Sequence, residues 1–492
     1  MTPRRRLALA AVAGAIAGLG HAPFDLWFLA IPAFTVIAYL MHFAETARQG
    51  AVLGWAAGAG YFAVTLHWIV EPFLVDAATH GWMAPGALVL LSGGLALFWA
   101  AAGWGTVKLG TSRWLAWALL LSAAEILRGH IFTGFPWGLP AYIWAETPVR
   151  MVASLVGSFG LTLITLTATA LTATEVVKRG IIRGVATGLI ATVVLFGLGW
   201  GLGGPDEFSD RQVRLIQPNA KQSEKWDPDK AITFVRRQIE YTGENADNVD
   251  LMIWPETAIP YRLDGAQPVL DRIAEEAGGI PVVTGINRTD GENWFNSLIV
   301  VGPAGAVEQT FDKQHLVPFG EYIPFRLDFL RAMAARSDYG FASGQHARRI
   351  STPFGDAIPL ICYEVIFPRH SRSVETRPAF LMQITNDAWF GNFSGPFQHL
   401  NQARFRAVEQ GLPLVRAANT GVSAIITPNG TVSAKLDLNT AGYLDAPMPL
   451  ASQATIYARI GDLPVFVVVV LGLVFQIAVA RRKGIAKRDP NQ

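Results

Sequence analysis

Ile358-Pro-Leu-Ile-Cys-Tyr-Glu-Val-Ile-Phe-Pro368 is the stretch from which the rest of the chain can be read. It holds Cys362, the only cysteine in 492 residues. The apolar run Ile358 to Ile361 predicts a buried strand that ends at the thiol. Val365 to Phe367 resume an apolar pattern, so a sharp turn and a helix start are expected at Cys362. A thiol at a helix start lies near unpaired N–H groups, which favour the thiolate and make it a candidate nucleophile. A buried structural cysteine would look the same in isolation. A single cysteine excludes an intrachain disulfide and leaves the redox compartment open.

On either side of this stretch, about 205–455 carries the charge and the Gly/Pro/Asn/Asp punctuation of a soluble α/β domain. Strands are expected at Gln212–Gln217, Asp250–Trp254, Ile280–Gly285, Asn296–Val301, Ala306–Phe311, 357–361, 380–385, Leu412–Ala417, Val422–Thr427 and Val432–Leu436. Helices are expected at 230–246, 267–277 and 398–410. Strands alternating with helices, with hairpins added, predict a mixed α/β layered domain.

The remainder is far more apolar. Half of the residues are hydrophobic and only 16% are charged, too apolar for an ordinary soluble protein of this length. Residues 1–204 read as a membrane domain of seven spans, at roughly 7–21, 26–43, 51–70, 86–104, 114–127, 151–173 and 185–202. An eighth, about 462–480, lies in 456–492 ahead of a basic tail. The Arg4-Arg5-Arg6 start could open a cleaved signal peptide, but His21-Ala-Pro is a poor cleavage site. With the N-terminus in the cytoplasm, Arg4 to Arg6, Arg48, Lys108, Arg113, Lys178, Arg179, Arg183 and the 481–488 cluster all fall on the cytoplasmic side. Only Arg128 and Arg150 lie in the short loops opposite. Lysine and arginine bias of this kind sets topology, so the 205–455 domain is expected outside the cytoplasm. The net charge of +2 gives no sign of a nucleic-acid partner. The loop 128–150, with Trp137, Tyr142 and Trp144, reads either as a membrane-edge anchor or as the wall of a lipid-access site. His67 and Glu71 sit near the outer end of span 3, where solvation explains them.

Three reactive groups fall at or just past strand ends. Glu256 follows Ile253-Trp-Pro, Lys313 follows Phe311-Asp, and Cys362 follows Leu360-Ile. Strand ends are where α/β folds collect catalytic groups. A cysteine nucleophile needs a base for its proton and a donor for the oxyanion of the tetrahedral intermediate. Glu256 and Lys313 are the candidates. Asn386, Asp387, Arg404, Glu409, Arg416 and Asn419 read as scaffold hydrogen-bonders. No cofactor is implied, and the histidines show no metal-ligand spacing. Phe325 to Gln345, with Ser337, Gly340 and Gly344, breaks the strand rhythm and is a candidate lid.

Trp254-Pro-Glu-Thr-Ala258, Phe311-Asp-Lys-Gln-His-Leu-Val-Pro-Phe-Gly-Glu-Tyr322 and Ile361-Cys-Tyr-Glu364 resemble the Glu-Lys-Cys signature of the nitrilase, or carbon–nitrogen hydrolase, superfamily. A domain of that kind set before the last of eight spans resembles the apolipoprotein N-acyltransferase family. The resemblance implies an α-β-β-α sandwich beside the helical membrane domain. It implies transfer of an acyl chain from a phospholipid to the α-amino group of a diacylglyceryl-cysteine apolipoprotein, through a thioester. Cys362 would be the nucleophile, Glu256 the general base and Lys313 the oxyanion stabiliser. Glu321 and Glu364 would support the site, Tyr363 would follow the nucleophile, and Trp226 and Trp137 would handle substrate. A monomer in the bacterial inner membrane is expected, with the catalytic domain on the periplasmic side. The rival readings are a membrane-anchored amidase releasing ammonia from a small amide, and a degenerate domain that only binds. A periplasm-dependent reporter fused after Ala220 should be active, and one fused after Lys487 silent; the reverse would show the spans miscounted.

Overall fold

Apolar residues alternate along the strands of the α/β region, and the alternation builds its layers. The computed structural model describes residues 1–110, 112–323, 340–345, 348–372 and 376–486, with side chains to Arg482. Two compact units result, one of residues 1–204 with 455–492 and one of 205–454.

The first unit is helical: α1 Pro3–Gly18, α2 Trp27–His42, α3 Ala47–Thr65, α4 Ala84–Leu109, α5 Arg113–Arg128, α6 Ala153–Arg179 and α7 Ile181–Leu202, joined by a C-terminal helix at Leu463–Ala486. It belongs to a membrane protein. The segments Ala77–Leu109, Pro148–Arg179, Ile181–Leu202 and Leu463–Arg482 are each long and apolar enough to cross a bilayer. A fifth is formed if α3 and His67–Leu74, bent by 64°, count as one span. At that bend the His67 ring meets the Val64 carbonyl at 2.8 Å. Helices α1, α2 and α5 stand where spans 1, 2 and 5 are expected, but each has only 16 residues.

Charge inside this unit is internal. Glu125 and Arg128 on α5 are fully buried and paired with each other. Trp99 donates to Glu125 at 2.7 Å, and Arg128 donates to the Trp137 carbonyl at 2.9 Å. Arg128 therefore satisfies an interior carboxylate and is not a loop charge facing water. The 128–150 loop is likewise not an aromatic rim: Trp137, Tyr142 and Trp144 are all buried, with Trp144 donating to Thr165 at 2.9 Å.

Gly50, Gly54 and Gly58 recur at every fourth position of α3 and present a bare backbone face to α4. A Cβ at Gly54 would lie 2.3 Å from the Trp99 carbonyl oxygen, and one at Gly50 2.4 Å from that of Gly103. Small residues at this spacing let membrane helices approach closely.

The second unit holds two six-stranded sheets. One runs β12-β1-β2-β3-β4-β5 and the other β11-β10-β9-β8-β7-β6. The strands are β1 Phe208–Gln217, β2 Val249–Ile253, β3 Val282–Asp290, β4 Asn293–Val301, β5 Val307–Asp312, β6 Ile350–Thr352, β7 Gly355–Ile361, β8 Phe380–Thr385, β9 Leu414–Ala418, β10 Ser423–Ile426, β11 Val432–Leu436 and β12 Gly442–Pro449. Helices α8 Pro228–Gly243, α9 Gln267–Ala277 and α10 Gly395–Gln410 accompany them, and the C-terminal helix is α11. Leu251, Ile253, Leu298 and Val300 meet Ile361, Ile384, Val415 and Ile425 between the sheets. The intervening Met252, Trp254, Ile299 and Val301 pack instead with Leu270 and Ile273 of α9. A period of two thus feeds one core between the sheets and another beneath helices, the nitrilase-like layering.

Strands β6 and β12 are absent from the sequence-based reading. β6 is three residues long, and β12 carries Pro447 and Pro449, which read as breakers. Both are edge strands, where a missing N–H is tolerated. Ser337 and most of the Phe325–Gln345 stretch lie outside the described residues. Its end is described: Phe341 donates to the Glu321 carbonyl and Gly344 to that of Lys313, each at 2.9 Å.

Gly54→Leu should wedge α3 from α4 and destabilise the protein by about 1–3 kcal/mol. Thermal unfolding of the purified protein in detergent checks this. Gly197→Leu on α7, where a Cβ meets nothing within 4 Å, should melt with the wild type.

Candidate active site

The parallel strands β7, β8 and β9 on one side and β1, β2 and β3 on the other bring their carboxyl ends to the reactive groups. Glu256 follows β2, and Cys362 follows β7 directly. Two antiparallel steps, β3 to β4 and β4 to β5, return β5 to the direction of β3, so Lys313 leaves the same edge as Glu256. Asn296 near the start of β4 reaches that edge as well.

These groups converge. Cys362, Glu256, Lys313, Glu321, Asn296 and Trp226 all line one cavity of about 180 Å³. The Lys313 ammonium lies 2.9 Å from Glu321 Oε1 and 3.5 Å from Glu256 Oε1. Asn296 Nδ2 donates to Glu256 Oε1 at 2.7 Å and to Glu321 Oε1 at 3.1 Å. The backbone N–H of Asn386 donates to Glu256 Oε2 at 2.8 Å, and that of Val317 to Glu321 Oε2 at 2.8 Å. Both carboxylates are therefore fixed in orientation. Burial opposes the charge of Lys313, but the carboxylates of Glu321 and Glu256 outweigh it and hold its pKa above the usual lysine range. Asn296 was not singled out from sequence. Its partners lie 40 and 25 residues away along the chain, and no local pattern links them.

Cys362 opens a five-residue 3₁₀ turn, Cys362–Ile366, rather than a full helix. Its φ is +51°, a left-handed backbone that points the side chain off the strand end. The expected thiolate is not favoured at rest. Burial pushes the Cys362 thiol well up, the Glu256 carboxylate adds to this, and Lys313 pulls back only in part. One short turn supplies too little positive potential to reverse burial.

Glu364 does not face the cavity. Its carboxylate accepts from the N–H groups of Ile361 at 2.8 Å, Gln314 at 2.9 Å and His315 at 3.0 Å, and from Arg348 at 2.6 Å. It therefore ties the Cys362 turn to the segment after Lys313. Burial would push its carboxyl up, but Arg348 and the N–H donors hold it down at about 2. Tyr363 is buried, with its ring 5.1 Å from Phe367 and 5.7 Å from His315. Trp226 is 37% exposed at the cavity wall. The neighbouring Lys225, missed from sequence, donates to the Glu256 carbonyl at 2.9 Å and to Thr257 Oγ1 at 2.7 Å. Trp137 belongs to the helical unit, where it is fully buried with its ring 4.4 Å from Trp68.

A second buried network lies behind the thiol. His399 Nε2 and Gln383 Nε2 reach the Cys362 carbonyl at 3.2 and 3.3 Å. His399 Nδ1 lies 2.9 Å from Asp387, which also pairs with Arg416. Burial keeps His399 below its usual pKa, and therefore neutral, despite Asp387. Asn419 donates to Asn386 at 2.8 Å, Arg404 to the Gly430 carbonyl at 2.8 Å, and Glu409 pairs with Arg406.

Removing Glu364 leaves Arg348 and three N–H groups without their acceptor. Glu364→Ala should cost about 3–5 kcal/mol, read by thermal unfolding. Because the folded pKa is depressed from 4.5 to about 2, this contribution is complete above about pH 4.5. It is lost as pH falls towards 2, so the variant's stability should depend less on pH across that window.

Both units of the chain match known families. The Carbon-nitrogen hydrolase family matches residues 212–457, and the Apolipoprotein N-acyltransferase N-terminal domain matches residues 13–171. An apolipoprotein N-acyltransferase of Rhodopseudomonas palustris is 35% identical over 97% of this chain and 96% of its own length. Those of Bradyrhizobium diazoefficiens and Caulobacter vibrioides are 36% and 37% identical, over 99% and 92% of this chain and 96% and 91% of theirs. With both of its units matched and relatives of this similarity along nearly its whole length, the chain belongs to the apolipoprotein N-acyltransferase family, a membrane-embedded branch of the carbon–nitrogen hydrolases.

Proposed function

We propose that the chain N-acylates apolipoproteins in two half-reactions through a thioester on Cys362. The observation that carries this reading is the single cavity shared by Cys362, Glu256 and Lys313, with the lysine 3.5 Å from the glutamate. In the first half-reaction Glu256 accepts the Cys362 proton as sulfur attacks the ester carbonyl of a phospholipid. The oxyanion forms beside the Lys313 ammonium. On collapse the C–O bond breaks, the lysophospholipid alkoxide takes the proton from Glu256, and the acyl group stays on sulfur. In the second, the α-amino group of a diacylglyceryl-cysteine apolipoprotein attacks the thioester. Glu256 accepts the amine proton and returns it to the departing sulfur. Each half is balanced without a cofactor.

The raised thiol pKa makes the base necessary, because sulfur becomes nucleophilic only as its proton leaves. Glu321 and Asn296 hold Lys313 and Glu256 in place, Glu364 holds the Cys362 turn, and Trp226 forms a wall for substrate. A volume of about 180 Å³ admits the reacting ester and a short length of chain, so most of the donor lies outside it. Trp137 shapes the helical unit from within and does not touch substrate.

The same reading extends to topology. Helices α1, α2 and α5 cross with the five apolar spans to make eight, and α5 tolerates its short apolar length because Glu125 and Arg128 neutralise each other inside. The division at 1–204, 205–455 and 456–492, the cytoplasmic basic ends, a periplasmic α/β domain in the inner membrane and a monomeric state complete it.

Lys313→Ala should slow acylation by phospholipid and transfer to an amine acceptor alike, each about a hundredfold, the usual loss of about 3 kcal/mol for one oxyanion donor. Single-turnover rates of the two steps check this. If transfer from preformed thioester ran at the wild-type rate, Lys313 would not serve the oxyanion. Cys362→Ala should form no acyl adduct, read by intact mass after incubation with phospholipid.

A further inference from the structure

The carboxyl ends of α2 and α6, the start of α5 and the end of α11 enclose a pocket of about 480 Å³ that the chemistry above leaves unused. Its walls include His42, Arg113, Thr174, Lys178, Phe475 and Gln476. We propose that this pocket binds the phosphate of an anionic phospholipid headgroup.

The polar side of the pocket is built and positive. Arg113 donates from Nη1 to the His42 carbonyl at 2.6 Å and to that of Met41 at 3.3 Å, so its guanidinium is held in place at the end of α2. His42 Nε2 meets Thr174 Oγ1 at 2.9 Å, which fixes the imidazole against α6. On the last turn of α6, Glu175 pairs with Arg179, and no carboxylate lines the pocket beside Lys178. Among the described residues the pocket therefore holds two cations and no anion. A phosphate supplies the missing charge and accepts from both.

The opposite wall is apolar. Phe475 and Val479 of α11 line it. Phe475 continues a run of exposed side chains along that helix, Val470 at 57%, Leu471 at 62% and Val474 at 56%. A headgroup seated between Arg113 and Lys178 would lay its acyl chains on this run. A soluble anion would have no use for it. Basic pockets between spanning helices recognise anionic headgroups in this way. All of these groups lie in the helical unit, so the inference stands apart from the thioester mechanism and from the direction in which the chain crosses the bilayer.

The test is native mass spectrometry of the full chain released from nanodiscs of phosphatidylcholine with and without phosphatidylglycerol. Wild type should retain phosphatidylglycerol in preference to phosphatidylcholine. Lys178→Gln should retain about fivefold less of it, as expected for one cation at a bilayer surface. Lys178→Arg should restore retention, and Arg183→Gln, outside the pocket, should leave it unchanged. Acyl transfer at the wild-type rate by Lys178→Gln reports an intact fold. In a parallel arm, inorganic phosphate is added to phosphatidylcholine nanodiscs at matched ionic strength. Stabilisation there of wild type but not Lys178→Gln, without lipid retention, would assign the site to free phosphate and overturn the lipid as its ligand. Equal retention of the two lipids by wild type, or equal retention of phosphatidylglycerol by wild type and Lys178→Gln, would overturn the proposal.

Discussion

A lysine ammonium sealed away from water is the constraint on which the catalytic unit depends. Lys313 is 1% exposed, and a buried charge of this kind survives only if its partners repay the lost hydration. Two carboxylates do so, Glu321 at 2.9 Å and Glu256 at 3.5 Å. The carboxylates would repel each other without the cation, and the cation would shed its proton without them. Two backbone N–H groups bond the oxygens that face away from the lysine, and Asn296 bridges the two that face it. The cluster is thus held together by its own hydrogen bonds and ion pairs, without any substrate.

The motifs that carry Glu256, Lys313 and Cys362 were legible because each lies in a short, distinctive stretch at a strand end. What holds them was not. Asn296, Lys225 and His399 act across gaps of 40, 31 and 37 residues, and pairing at such distances leaves no periodic signal in one sequence. The layered α/β fold was visible in the alternation of apolar residues along β2 and β4, whereas β12 was hidden because its prolines matter little at a sheet edge. The apolar composition was legible, whereas the number of spans was not. Sixteen-residue helices such as α1 and α5 are too short to be spans on length alone. The aromatic loop misled for a related reason. Tryptophans near a span end read as a rim, yet Trp137 and Trp144 are buried by contacts that the sequence does not display.

The expectation of a thiolate at a helix start runs against the surroundings of the sulfur. A single 3₁₀ turn offers a few unpaired N–H groups. Burial and a nearby carboxylate act the other way.

That geometry rests on a backbone which Cys362 would not adopt unaided. A φ of +51° costs a side chain with a Cβ on the order of 1 kcal/mol. Two features of the fold meet that cost. Glu364 accepts from the N–H of Ile361 on the strand side of the turn, while Gln383 donates to the Cys362 carbonyl on the far side. His399 lies against the same carbonyl with its Nε2 edge and against Asp387 with Nδ1, and Asp387 is held in turn by Arg416. The strained residue is thereby held at both ends by polar groups that are themselves buried. A glycine would sit in this turn without strain but would bring no sulfur. The bonds from Ile361 to Glu364 and from Gln383 to the Cys362 carbonyl fix the backbone on either side of a cysteine in a conformation that glycine prefers.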